Sequence, residues 1–229
     1  QSVIPNGWHA TFEPVSDANE LNGIKTAASA DGSVYVSSTY NKAFTFGGKE
    51  VADPEGLTSA CIVKYNEKGQ EQWAVTLEGS AVVYALDTDA DGTLYAAGSY
   101  IDVVKYTATD GTTGELAGGA DAHSAFVAKI SKDGKVESVK TIAPVINAAI
   151  LESFMYFPEP NYVYVTPNNI QIDGEKVYVS ATYTADVEEL GWKAAYLNVF
   201  DFMYMENKSA GIFSLDKANL ANPTSVATV

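Results

Sequence analysis

The sequence predicts an all-β chain made of β-propeller blades: three four-stranded antiparallel repeats plus one spare N-terminal strand. Three observations carry this. An Asp-Gly turn leading into a Tyr-containing strand occurs three times, a Ser-Ala strand follows each copy, and the closing strand recurs at a fixed spacing. Self-similarity of this kind marks a repeat architecture, and four short strands per repeat suit a propeller blade.

The first element reads Asp31-Gly32-Ser33-Val34-Tyr35, then Asp91-Gly92-Thr93-Leu94-Tyr95, and with one extra residue Asp173-Gly174-Glu175-Lys176-Val177-Tyr178. Asp-Gly suits a tight hairpin because both residues tolerate positive φ. The second element begins Ser59-Ala60-Cys61, Ser124-Ala125-Phe126 and Ser209-Ala210-Gly211. It is apolar on both alternating faces, through Cys61, Val63 and Tyr65 on one and Ala60 and Ile62 on the other. A sheet wetted on one side alternates apolar with polar, whereas a blade is covered by a neighbour on each side. The third element runs Trp73–Leu77, Ser138–Ile142 and Ser225–Val229, and Trp8–Phe12 shows the same pattern. Trp8, Trp73 and Ser138 are spaced 65 residues apart, and Ser138 to Ser225 is 87, so the last unit carries extra chain. The expected organisation is one domain with blades at 22–77, 81–142 and 167–229, a spare strand at 8–12 and an insertion at 143–166. No segment shows capped helical periodicity.

These elements, with Lys64-Tyr65 and Lys129-Ile130 running into the turn glycines Gly69 and Gly134, resemble the SBBP-type bacterial propeller repeat and share the look of PQQ-type repeats. The resemblance is close over 22–142 and looser over 167–229. It implies a propeller fold and a secreted or surface-attached, lipoprotein-type location outside the cytoplasm. Propellers have four to eight blades. Three blades and one strand therefore fit two arrangements: part of a larger propeller, or a ring completed by a homodimer.

Acidic residues outnumber basic ones by 29 to 14, every basic residue is lysine, and the net charge is −15. Nucleic-acid binding needs clustered cations and is excluded on this ground. The missing arginine counts against phosphate- or carboxylate-binding enzymes. No apolar run is long enough to span a membrane. The one cysteine, Cys61, lies in an apolar strand and reads as a small buried residue.

Asp87, Asp89 and Asp91 alternate ahead of Gly92 like the start of a calcium loop, but Gly98 stands where that loop needs a bidentate Glu. A hairpin turn is the first reading, and no cofactor other than a possible Ca2+ is expected. His9 and His123 are too far apart to suggest a transition-metal site. The aromatic residues of the enlarged third unit are the candidate ligand contacts: Tyr156, Phe157, Tyr162, Trp192 and Tyr196. Flat apolar rings with a polar tip suit a glycan or a protein partner, and they equally suit packing of the insertion onto its blade. Glu152, Glu159, Glu188 and Glu189 lie nearby, and a carboxylate pair could serve glycoside hydrolysis. The expected function is a non-catalytic secreted or cell-surface module for protein or glycan binding. The alternative is a carbohydrate-active or quinoprotein-like enzyme.

Overall fold

The computed structural model describes residues 25–54, 58–118, 122–146, 163–195 and 208–229. The chain there is all-β, and three four-stranded antiparallel blades follow one another in sequence order. Blade A contains β1 (Lys25–Ala28), β2 (Val34–Tyr40), β5 (Ser59–Tyr65) and the first half of β6 (Glu71–Thr88). Blade B contains the second half of β6, the first half of β7 (Leu94–Ala108), β9 (Ser124–Ile130) and β10 (Val136–Ile142). Blade C contains β11 (Val165–Asp173), β12 (Lys176–Tyr183), β13 (Ser209–Asp216) and β14 (Thr224–Thr228). Each blade uses the recurring elements in the expected order. The Asp-Gly turns sit between its first two strands, with φ of 82°, 79° and 56° at Gly32, Gly92 and Gly174. The anticipated strand at 8–12 lies outside the described residues.

Blades A and B are not joined by a loop. Strand β6 runs through both, bending at a bulge between Glu78 and Ser80. Gly79 occupies the bend with φ 129°, and a Cβ there would lie 2.8 Å from the Val103 carbonyl oxygen. Only glycine passes at that distance. Strand β7 bends beside it, with Asp102 at φ 63°. Its second half then forms a hairpin with β8 (Thr113–Ala117) and pairs with the blade A half of β6, Val75 opposite Ala108 and Glu78 opposite Lys105. A second hairpin, β3 (Phe44–Phe46) with β4 (Lys49–Val51), packs on the outward face of blade A. There Phe46 sits edge-on to Tyr65 at 5.2 Å, over buried Val63 and Ala74.

Two apolar layers hold the blades together. Between A and B lie Tyr35, Ile62, Trp73, Val75, Leu94 and Phe126. Between B and C lie Tyr95, Val127, Val165, Val179, Trp192 and Phe213. Strand β5 is buried along its whole length, as a strand covered on both faces must be. A repeated pair of polar links reinforces the layers. In the A–B interface the Tyr35 hydroxyl donates to the Gly92 carbonyl at 2.9 Å, and Lys64 Nζ donates to the Lys132 carbonyl at 2.8 Å. In the B–C interface Tyr95 and Lys129, which hold the same registers, donate to the carbonyls of Lys217 at 3.3 Å and Ala218 at 2.9 Å. The corresponding pair in blade C is Tyr178 opposite Ser214.

This topology makes the two ends of the stack unlike. The Asp-Gly turns and the turns at Asn66–Gln70, Ser131–Lys135 and Asp216–Ala221 are short and lie together at one end. The long connections, 41–58, 102–123, 143–164 and 184–208, all leave from the other. Among the described residues no helix is long and apolar enough to cross a membrane.

Candidate ligand-binding groove

On the long-connection side, a groove of about 450 Å³ runs along the first strands of blades B and C. Tyr84 of β6, Ser99 of β7 and His123 line it from blade B, and Tyr164, Thr166, Asn168, Thr182 and Lys208 from blade C. Its size falls within the range of small-molecule sites, roughly 300–1,000 Å³. Tyrosine, hydroxyl and amide groups dominate, and the described lining contains no carboxylate.

Backbone bonds fix its walls. The His123 N–H donates to the Val163 carbonyl at 2.9 Å, and the Val165 N–H donates to the His123 carbonyl at 3.0 Å, tying the start of β9 to the start of β11. The Tyr164 N–H donates to Thr184 Oγ1 at 3.0 Å, and the Thr184 N–H returns to the Tyr164 carbonyl at 3.1 Å. A bulge between Pro167 and Asn169 leaves Asn168 out of the β11–β12 ladder. Proline has no N–H to give to a ladder, and a bulge re-aims the side chain of the extra residue. Asn168 Nδ2 then donates to Thr182 Oγ1 at 2.8 Å. Beside this region Asp186 is held by Lys193 Nζ at 2.8 Å and by the Ala194 N–H at 2.9 Å.

Trp192 does not serve the site expected of it. It is 1% exposed, lies in the B–C layer stacked on Tyr183 at 4.8 Å, and donates through Nε1 to Ser225 Oγ at 2.8 Å. The reason is a gap in the repeat. The register position of Cys61 in blade A and Phe126 in blade B is Gly211 in blade C. A Cβ on Gly211 would lie 2.6 Å from the Trp192 ring. The tryptophan, supplied by the long connection, fills the space that Phe126 fills one blade earlier, where Gly98 makes the corresponding room. Tyr156, Phe157, Tyr162 and Tyr196 lie outside the described residues, as do Glu152 and Glu159. Glu189 pairs with Lys140.

Two of the three aspartates, Asp87 and Asp89, have backbone partners. Asp87 Oδ2 accepts from the Ile172 N–H at 2.9 Å, linking blades B and C. Asp89 Oδ1 accepts from the N–H groups of Asp91 and Thr93, each at 3.0 Å, as a turn aspartate does. Among the described residues no group of three His, Cys, Asp or Glu is arranged to hold a metal ion. Cys61 is fully buried, and burial pushes its thiol pKa far above the ordinary value. The groove residues Tyr84, Ser99, Asn168 and Thr182 were not among the residues singled out from sequence. One local signal was present, Pro167-Asn168-Asn169, three poor strand formers inside a strand.

No protein-family model and no curated protein matches the chain. Among solved structures, a mutant of the Synechocystis apocarotenoid oxygenase is similar with TM-score 0.40 and 13% identity, over 90% of this chain and 38% of the oxygenase. A Bacteroides caccae protein of unknown function is similar with TM-score 0.36 and 12% identity, over 95% of this chain and 63% of that protein. The chain thus spans less than two thirds of either. Neither ligand nor activity is carried over from them.

Proposed function

We propose that this chain is a non-catalytic binding module, acting at the cell surface or after secretion, whose long-connection end receives a protein or glycan ligand. One observation carries the reading: the long connections all leave the strands at one end of an otherwise regular stack, and the groove opens there. Loops on a rigid scaffold tolerate change of length and sequence, and for that reason they commonly hold binding residues. The placement outside the cytoplasm rests on the resemblance to SBBP-type repeats.

The test uses the labelled chain on immobilised glycans and on immobilised mucin glycoprotein. Binding should fall with Asn168→Ala or Tyr84→Ala and survive Lys68→Ala in a turn at the opposite end. Binding that follows Lys68 instead, or steady turnover of a bound glycan, overturns the proposal.

A further inference from the structure

The chemistry of the groove narrows its ligand class, an inference that rests on the binding-module reading above. A net charge of −15 sets up a field that opposes approach of an anionic ligand. Within the groove six of the eight described lining residues carry neutral hydroxyl or amide groups, and the lysine among them, Lys208, has a partner of its own. Such a lining suits a neutral molecule rich in hydroxyl groups.

The arrangement of Asn168 and Thr182 supports the same conclusion. Asn168 Nδ2 donates to Thr182 Oγ1 at 2.8 Å, which leaves the amide Oδ1 as an acceptor beside a hydroxyl that can still donate. An adjacent acceptor and donor match two neighbouring hydroxyls of a sugar ring, each of which both gives and takes a hydrogen bond. Thr166, the cross-strand partner of Thr182, adds a second hydroxyl, and Ser99 adds a third from blade B. Tyr84 and Tyr164 contribute aromatic surface from the two walls, suited to the C–H face of a pyranose. We infer that the groove between blades B and C is a binding site for a neutral saccharide, read through Asn168 and Thr182 and packed against Tyr84 and Tyr164.

Isothermal titration of the full chain provides the test. The probes are malto-, cello-, manno- and xylo-oligosaccharides, with oligogalacturonate as the anionic control and a chitosan oligomer as the cationic one. At least one neutral probe should bind, and Asn168→Ala should weaken it about tenfold without lowering the melting temperature. Tyr84→Ala should do the same through the other wall. Tighter binding of either charged oligomer, lost with the same variants, overturns the neutral-saccharide inference and leaves the binding module standing. Failure of all three probe sets while mucin is still bound through Asn168 does so too. Failure of every probe and of mucin removes both.

Discussion

Replacing Trp192 with alanine removes a buried ring from the B–C layer, not a ligand contact. The ring is 1% exposed, stacks on Tyr183 and meets Phe213 edge-on at 6.0 Å. Truncating a buried aromatic costs about 3–5 kcal/mol, and loss of the bond to Ser225 Oγ is worth roughly 1 kcal/mol within that range. For a chain of this size, about 4 kcal/mol lowers the melting temperature by roughly 8–16 °C. Gly211→Ala should cost about 1–3 kcal/mol for the opposite reason, because its Cβ would enter the ring. The two changes should not add. In the Trp192→Ala background the Cβ added by Gly211→Ala enters vacated space, so the coupling should be about 1–3 kcal/mol in favour of the double variant. Thermal and urea unfolding followed by circular dichroism measures all four corners of the cycle. A Trp192→Ala variant that melts within about 2 °C of the parent, or strictly additive costs, refutes the space-filling role.

Further outcomes follow from the same geometry. Cys61, fully buried with its thiol pKa pushed up by burial, should resist iodoacetamide in the native chain and react once urea unfolds it. Rapid native labelling contradicts this. The Asp31 carboxyl is held down to about 2 by the Ser29 hydroxyl and the Ser33 N–H, against 3.8 ordinarily. A depressed carboxyl stabilises the fold fully above its unfolded value, and that contribution is lost as pH falls from 3.8 towards 2. Asp31 is exposed, so the effect is small, but Asp31→Asn should flatten the acid limb of the stability curve, and an unchanged limb counts against it. Because Asp87 and Asp89 accept backbone N–H groups, a chelator should leave the melting temperature unchanged. A clear drop identifies a bound cation.

The blades were legible because each repeat states its own turn and both of its covered faces. Asp31-Gly32 and Asp91-Gly92 mark hairpins by backbone preference alone, and the apolar run at Ala60–Val63 signals burial on two sides. The hairpins β3–β4 and β7–β8 were not read. They lie in the connections between the second and third strands of blades A and B, outside the recurring elements, where no self-similarity helps, although Gly47-Gly48 and Asp110-Gly111 form their turns. The candidate site was less legible. Trp192 stood in an enlarged connection and resembled a surface aromatic, and only the register of Gly211 beneath it reveals packing. The groove residues are ordinary Tyr, Ser, Asn and Thr drawn from several strands, and no spacing in sequence brings Tyr84 to Asn168. Their shared chemistry emerges only once the blades are stacked.

The most direct test of the account is amide hydrogen exchange, read by mass spectrometry, with and without the neutral oligosaccharide mixture at saturation. Protection should concentrate in 80–86, 163–168 and 180–184, the backbone that lines the groove, and leave the Asp-Gly turns at 29–33 and 89–93 unchanged. Protection confined to those turns contradicts a ligand site on the long-connection end, and none anywhere contradicts the neutral-saccharide site.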